Sequence, residues 1–314
     1  MNSTPPLFPR RQKSQGIIRN FFAVTGIVFS LFFFFSAGAS ERSAPQDPEF
    51  VPVLHQLLTD GVDAGLLQNV FAHPDMRFHV DIPALFFIIQ ESRLDYDQFS
   101  RPQPVQQARN YMETHGEILN RAEQIYGVPP DILTALLLVE TRLGTFMGRY
   151  SAAASLASIA AMASPDVQEQ LWEKVKDNTR YSDRESFRKR AENRAAWAQK
   201  ELAPLLRYAE TKGVHAAEIK GSYAGAVGIC QFMPSNIEPY AADGDGDGII
   251  RLSTHEDAIF SAARYLKEHG WQREMTTNEQ ERILLTYNRS RPYAQAILTV
   301  SEKLRDTKDV LPMK

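Results

Sequence analysis

The 314-residue sequence predicts a mainly α-helical protein with room for one large domain or two small ones. Apolar side chains recur at helical spacing in residues 106–127 and again in residues 131–142. A charged stretch at residues 164–210 carries interspersed leucine, tryptophan and phenylalanine, which is typical of helices with one solvated face. Alternating β-branched runs between turns, which signal strands, are scarce.

The first 39 residues have the layout of a secretory signal. Four basic residues and no acidic ones precede an uncharged stretch at residues 21–40, and Ala37-Gly38-Ala39 supplies the small-x-small pattern suited to signal peptidase. The apolar stretch is also just long enough to span a bilayer. We therefore expect export to the periplasm, either with cleavage after Ala39 or with residues 20–40 retained as an inner-membrane anchor.

Cysteine usage and charge narrow the class of protein further. The one cysteine, Cys230, lies far from the predicted cleavage point, which excludes a lipoprotein, and it cannot form an internal disulfide. An exported protein without disulfides suggests a bacterial envelope. Beyond residue 39 acidic residues outnumber basic ones, so the charge gives no electrostatic footprint for nucleic acid.

Glycine, proline and apolar spacing predict where the helices after residue 106 begin and end. Residues 106–127 are predicted to form one helix that closes at Gly127. Pro129-Pro130 opens the next helix, which ends near Gly144, because proline is tolerated at the first helical position. The Gly/Ala-rich residues 221–228 interrupt the helical pattern, which returns at residues 258–270 and 279–304.

Glu140 stands out in the helix that follows Pro130. Helical geometry places Leu133 and Leu136 on the same face as this glutamate, so the carboxyl group lies on an apolar stripe. Burial there is expected to raise its pKa, which suits a general acid acting on a glycosidic oxygen. The alternative is a structural glutamate that pairs with an arginine such as Arg142 or Arg149.

Three motifs in this order resemble the membrane-bound lytic transglycosylase B family. The first is Gly127-Val-Pro-Pro-Asp-Ile132 followed by Val139-Glu-Thr-Arg-Leu-Gly144. The second is Lys220-Gly-Ser-Tyr-Ala-Gly-Ala-Val-Gly-Ile-Cys-Gln-Phe-Met-Pro-Ser235. The third is Tyr287-Asn-Arg-Ser290, followed by Tyr293-Ala294. The matches cover roughly residues 106–160 and 218–300.

The resemblance implies a lysozyme-like catalytic core with an inserted helical subdomain and an EF-hand-like loop. In the implied organisation, residues 40–105 form an N-terminal helical segment with a linker, residues 106–163 and 218–305 the core, residues 164–217 the inserted subdomain, and residues 306–314 a tail. The resemblance also places the acid/base on Glu140. It places substrate contacts on Ser222, Gln231, Tyr265, Tyr287 and Asn288.

The implied activity is cleavage of the β-1,4 bond between N-acetylmuramic acid and N-acetylglucosamine in peptidoglycan, which leaves a 1,6-anhydro sugar. Ordinary glycosidases use two carboxyl groups. One carboxyl group suffices here, because Glu140 can protonate the leaving oxygen and then take a proton from the sugar's own 6-hydroxyl. Tyrosine and asparagine side chains can hold the sugar through hydrogen bonds that strengthen in the transition state.

An acidic loop resembles a calcium-binding loop. Asp243, Asp245 and Asp247 occupy loop positions 1, 3 and 5, Gly248 supplies the turn at position 6, and Ile249 can offer its carbonyl at position 7. The sequence departs from the pattern at position 12, where Thr254 stands in place of glutamate. Asp257, three residues later, can substitute for it from the next helix, and the family resemblance extends to this residue. We expect a structural calcium ion bound by Asp243, Asp245, Asp247, Ile249 and Asp257.

Two other functions remain open from sequence alone. A hydrolytic muramidase would need a second carboxylate near Glu140 in space, and a non-catalytic glycan-binding envelope protein would need no acid at all. Zinc is disfavoured because the seven histidines are scattered without ligand spacing, and no organic cofactor is expected. The glycan strands are the one partner that the sequence predicts.

Overall fold

The computed structural model describes residues 47–89, 94–177 and 183–306, which belong to one compact unit. The predicted signal or anchor at residues 1–39 lies outside the described residues. Among the residues that are described, no helix is both long and apolar enough to cross a membrane. The mainly α prediction is confirmed, since thirteen α-helices, five short 3-10 helices and two strands of two residues each make up the regular structure of the described ranges.

The helices are numbered α1–α13 in chain order. Those before the first strand are α1 (Val51–Thr59), α2 (Ala64–Phe71), α3 (Asp81–Ile88), α4 (Pro102–Thr114), α5 (Gly116–Tyr126) and α6 (Pro130–Thr141). Strand β1 (Tyr150–Ser151) precedes α7 (Ala152–Ala160), α8 (Pro165–Val175) and α9 (Arg184–Lys212). Strand β2 (Lys220–Gly221) precedes α10 (Ile237–Tyr240), α11 (His255–Glu268), α12 (Thr277–Tyr287) and α13 (Arg291–Arg305).

The prediction of a single helix over residues 106–127 was wrong. The chain forms α4 and α5 instead, with His115 between them at φ −108° and ψ 20°. Glycine at position 116 explains the break, because glycine is the weakest helix former after proline and tolerates the change of direction. The predicted end is confirmed, since Gly127 caps α5 in the left-handed conformation at φ 75°.

Helix α6 runs through the centre of the core. Residues 132–138 are all 2% exposed or less, so this helix is buried on every side rather than on one stripe. The helix begins at Pro130, as predicted, and packs most extensively against α13. Buried Asp131 in its first turn accepts a hydrogen bond from Ser301 Oγ of α13 at 2.5 Å. Because the helix is buried along its length and bonded to α13 at its start, its last turn belongs to a rigid element.

Helix α9 packs along the core and supports the segment that follows residue 220. The buried carboxylate of Glu201 accepts hydrogen bonds from Ser235 N at 2.8 Å and from Ser235 Oγ at 2.9 Å. The hydroxyl of Tyr208 accepts a hydrogen bond from Leu252 N at 3.1 Å. Because α9 lies between residues 164 and 217, these contacts join that stretch to the rest of the core. The inserted subdomain itself stays a prediction.

The two short strands form an antiparallel ribbon in which Tyr150 lies opposite Gly221 and Ser151 opposite Lys220. The chains approach closely here. A β-carbon on Gly148, whose φ is 105°, would stand 2.0 Å from the Gly221 carbonyl oxygen. Glycine at position 148 is thus required both for the backbone angle and for the space. The ribbon joins the segment after α6 to the Gly/Ala-rich segment that the sequence singled out.

Candidate active site

Glu140 lies in the last turn of α6 and is half-buried. Leu133 and Leu136, predicted to share its face, are fully buried. Tyr293 of α13 donates a hydrogen bond from its hydroxyl to Glu140 Oε1 at 2.5 Å. Burial and the charge of Glu140 raise the pKa of Tyr293 well above its usual value, so this hydroxyl stays protonated and can donate. The contact fixes the orientation of the carboxyl group.

The backbone just after Glu140 takes an unusual path. Arg142 and Leu143 have φ angles of 51° and 61°, in the left-handed region that L-residues rarely adopt. Thr141 stabilises this turn, because its Oγ1 donates to Ile229 O at 2.9 Å and accepts from Gly144 N at 2.9 Å. The turn therefore ties the end of α6 to the segment around residue 229. Strained backbone of this kind clusters at functional sites.

Gln231 is the third non-glycine residue with positive φ in the described ranges, at 50°. Its Nε2 donates to Gly228 O at 2.8 Å and to Met147 O at 3.2 Å. The amide side chain therefore fastens its own loop to the turn after α6. Ser222, at the start of the same segment, accepts a hydrogen bond at Oγ from Ala226 N at 3.1 Å. Both predicted substrate contacts thus belong to one structured segment beside the helix that carries Glu140.

Tyr287 and Tyr265 approach this segment together. Tyr287 donates from its hydroxyl to Cys230 O at 2.5 Å, and burial raises its pKa well above the usual value. The ring of Tyr265 packs edge-on against that of Tyr287 at 4.7 Å, and its hydroxyl donates to Thr286 O at 2.8 Å. Tyr265 is only 5% exposed, so in this structure it supports Tyr287. Its role as a substrate contact stays a prediction.

Asn288 directly follows Tyr287 as the C-cap of α12 and is half-buried. It is therefore carried to the site by the same helix end. Cys230 is fully buried, and burial raises the pKa of its thiol, so it has the character of a small apolar side chain rather than a nucleophile.

Arg142 and Arg149, which the sequence suggested as structural partners of Glu140, make their hydrogen bonds to other residues. Arg142 donates to Gln98 Oε1 at 2.7 Å and lies over the ring of Phe99. Arg149 donates to the hydroxyl of Tyr150 at 2.9 Å.

Sequence reasoning did not assign a role to Tyr293, although the residue stood next to the third motif. The signal for it is its position in the first turn of α13, three residues after the N-cap Ser290. The sequence alone does not reveal this role, because it depends on the packing of α13 against α6.

The acidic loop brings three carboxylates together. Ligand oxygens of Asp243, Asp245 and Asp247 lie within 4.8 Å of one another. Two oxygens bound to one calcium ion stand at most about 5 Å apart, since each Ca–O distance is 2.3–2.6 Å, so the spacing fits this ion. The Asp247 N–H lowers the pKa of Asp245, but desolvation and the charges on Asp247 and Asp257 outweigh it and raise that pKa overall.

Asp257 closes the loop from the first turn of α11. It is fully buried, and its oxygens accept hydrogen bonds from Gly244 N at 2.7 Å and Arg251 N at 2.5 Å. Asp257 therefore anchors both ends of the loop, and it is not one of the three residues whose ligand atoms converge. Its role as a metal ligand, like that of the Ile249 carbonyl, stays a prediction.

With this geometry in place, the chain can be compared with known proteins. The family model described as "Transglycosylase SLT domain" matches residues 54–283. The chain is 35% identical over 174 residues to the membrane-bound lytic murein transglycosylase B of Escherichia coli (strain K12). That alignment covers 55% of this chain and 40% of the relative, so it spans less than half of the relative's length.

Two solved structures show the same fold. The soluble lytic transglycosylase SltB1 of Pseudomonas aeruginosa has a TM-score of 0.65 and 24% identity, with 82% of this chain and 98% of that chain covered. The Escherichia coli lytic transglycosylase Slt35 in complex with calcium has a TM-score of 0.63 and 22% identity, with 82% and 93% covered.

Proposed function

This chain belongs to the SLT-domain transglycosylase family, and from that membership we propose that it cleaves the glycan strands of peptidoglycan as a lytic transglycosylase. Glu140 is the single acid/base. The observation that carries the proposal is the hydrogen bond from Tyr293, which holds the Glu140 carboxyl group in place at the end of a buried helix. The turn after α6 is tied to the segment that carries Ser222 and Gln231.

The proposed reaction uses Glu140 twice. The carboxyl group first donates its proton to the glycosidic oxygen while the bond from that oxygen to C1 of the muramoyl residue breaks. The resulting carboxylate then removes the proton from the 6-hydroxyl of the same sugar, and O6 bonds to C1. The product is a 1,6-anhydro-muramoyl end, and Glu140 is protonated again. No water enters the balance, because the nucleophile belongs to the substrate.

The neighbouring side chains have supporting roles in this proposal. Tyr293 keeps the carboxyl group in one orientation through both steps, which matters because proton transfer requires hydrogen-bond distance to each sugar oxygen in turn. Ser222, Gln231, Tyr287 and Asn288 hold the sugar. Tyr265 acts through Tyr287, against which it packs.

The acidic loop fits a structural calcium ion. Asp243, Asp245 and Asp247 offer the hard oxygen ligands that calcium prefers, at a spacing that one ion can bridge. The ion would neutralise three carboxylates that repel one another and would fix the loop in front of α11. It has no part in the proposed bond cleavage.

The location of the enzyme is also part of the proposal. Residues 1–39 act as a secretory signal or anchor, so the catalytic unit faces the peptidoglycan layer in the periplasm. The basic residues before the apolar stretch and the small residues at positions 37–39 support this assignment of residues 1–39 as a signal or anchor.

The test is digestion of purified peptidoglycan by residues 40–314 in the presence of calcium, with the products read by mass spectrometry. Products with 1,6-anhydro-muramic acid ends, each lighter by one water than a reducing end, are expected. Reducing muramic acid ends would instead identify a muramidase and direct attention to a second carboxylate. A folded protein that yields neither product would indicate a glycan-binding protein without catalysis.

A further inference from the structure

The segment of residues 94–101, which precedes α4, reaches the turn that ends α6. Gln98 Oε1 in this segment accepts a hydrogen bond from Arg142 Nη2 at 2.7 Å, although 44 positions separate the two residues. The guanidinium of Arg142 also lies 5.8 Å from the ring centroid of Phe99. Two consecutive side chains of one segment thus bind this arginine. The sequence assigned the segment no role, because it precedes the predicted core at residues 106–163.

The amide of Gln98 is oriented by a second hydrogen bond. Its Nε2 donates to Asp95 O at 2.6 Å, which leaves Oε1 as the atom that faces Arg142. The segment is also fixed from the other side, since Lys303 Nζ of α13 donates to Ser100 O at 2.7 Å. Gln98 is therefore an acceptor whose position does not depend on the arginine that it binds.

Arg142 closes α6 in the left-handed conformation, at φ 51° and ψ 50°. Glycine is the usual residue at such a helix end, because a β-carbon makes this conformation unfavourable. An arginine keeps the conformation only when surrounding contacts support it. Thr141 supplies part of this support through its hydrogen bonds, and the contacts of Arg142 with Gln98 and Phe99 supply another part. Glu140 lies two residues earlier, so a change in this turn would displace its carboxyl group.

The same segment also reaches the hydrogen-bond donor of Glu140. The ring of Tyr96 packs edge-on against that of Tyr293, with the centroids 6.2 Å apart. Tyr96 also packs against Phe99 at 6.4 Å, so the contacts with Tyr293 and Arg142 belong to one aromatic cluster. The segment therefore supports both the turn that follows the carboxyl group and the tyrosine that orients it.

We propose that Gln98 is a positioning residue for the transglycosylase reaction, which holds Arg142 and through it the turn that places the Glu140 carboxyl group. The inference rests on the proposed function. Gln98 needs no contact with the sugar in this role. The proposed sugar contacts, such as Ser222 and Asn288, lie on other segments of the chain. Loss of the hydrogen bond between Gln98 and Arg142 should therefore slow the proton transfers without weakening substrate binding.

The experiment measures kcat and KM of the full mature chain on soluble glycan strands, from the rate at which anhydro ends form. Gln98→Ala is expected to lower kcat about three- to tenfold with KM unchanged, because a small displacement of a catalytic group slows proton transfer. Gln98→Glu should restore kcat to within about twofold of the wild type, since a carboxylate also accepts a hydrogen bond from arginine. Gln106→Ala, at an exposed position on α4, is the matched control and should behave as the wild type.

Arg142→Gly tests the same contact from its other partner. Glycine adopts the left-handed conformation without strain, so this variant removes the side chain without opposing the fold of the turn. It should lower kcat as Gln98→Ala does, and adding Gln98→Ala to it should have no further effect, because the contact is already lost.

Three results would overturn the inference while leaving the transglycosylase proposal intact. They are an unchanged kcat in either single variant, independent effects of the two substitutions in the double variant, and a raised KM with unchanged kcat in Gln98→Ala. A wild-type protein that forms no anhydro ends would overturn both the inference and the proposed function.

Discussion

The Glu140 site and the acidic loop are assembled in opposite ways. The hydrogen bonds of the Glu140 site join residues far apart in the chain, with separations of 153 residues for Tyr293 and Glu140, 88 for Thr141 and Ile229, and 84 for Gln231 and Met147. Those accepted by the loop aspartates and Asp257 join residues between 2 and 13 positions apart. The Glu140 site depends on the whole fold, whereas the carboxylate network of the loop is contained in one stretch of chain.

This difference predicts how each region responds to change. Substitutions at the Glu140 site should alter catalysis without altering the carboxylate cluster of the loop, because the hydrogen bonds to these carboxylates come from nearby backbone. Substitutions in the loop should alter stability and calcium binding while the Glu140 carboxyl group stays held by Tyr293. The experiments below test this independence, from the largest expected effect to the smallest.

Glu140→Gln should give the largest effect, a loss of turnover of about 10³-fold or more, because an amide can neither donate nor accept the transferred proton at neutral pH. The melting temperature should stay close to that of the wild type. Rates of anhydro-end formation and thermal denaturation measure the two quantities. Glu113→Gln, at an exposed position on α4, is the matched control. Full turnover by Glu140→Gln would remove this residue from the mechanism.

Tyr293→Phe should lower kcat roughly ten- to hundredfold, the range expected when a hydrogen bond to a charged group is lost at about 1.5–3 kcal/mol. The lost donor had favoured the ionised carboxylate, so the alkaline limb of the pH–rate profile should move to higher pH. Tyr126→Phe, whose ring packs against Phe260, is the control. A pH profile that keeps its shape while the rate falls would mean that Tyr293 only packs against the site.

The same contrast explains what the sequence could predict. The acidic loop could be predicted because its aspartates follow one another at fixed intervals, and Glu140 could be singled out because its apolar neighbours lie on the same helix. Tyr293 was not assigned, since its role depends on the packing of α13 against α6, which no local pattern encodes. The division between α4 and α5 was missed for a related reason, because the apolar spacing continues across His115 and Gly116 although the helix does not.

Asp257→Asn should destabilise the protein by about 2 kcal/mol, with or without calcium. The buried carboxylate accepts backbone hydrogen bonds from Gly244 and Arg251, and an amide can accept only one of them, so one buried N–H loses its partner. Asp245→Asn is the control, because Asp245 is exposed and its loss should matter little in EDTA. Thermal unfolding in EDTA separates the two variants. If Asp257→Asn destabilised the protein only when calcium is present, the main role of Asp257 would be to bind the ion rather than to hold the loop backbone.

Calcium itself should give the smallest effect. An ion at ten times its Kd adds about 1.4 kcal/mol to the free energy of unfolding. In a domain of this size that amounts to roughly 3–5 °C in melting temperature. Magnesium should not replace it, because magnesium demands a tighter octahedral site and keeps its waters. Asp245→Asn should abolish the shift, and Asp166→Asn, in the first turn of α8, should leave it intact.

If the carboxylate network of the loop is as independent as its short-range hydrogen bonds indicate, EDTA should remove the thermal shift yet leave kcat at 25 °C unchanged. A parallel loss of kcat would show that the loop and the Glu140 site are coupled through α11.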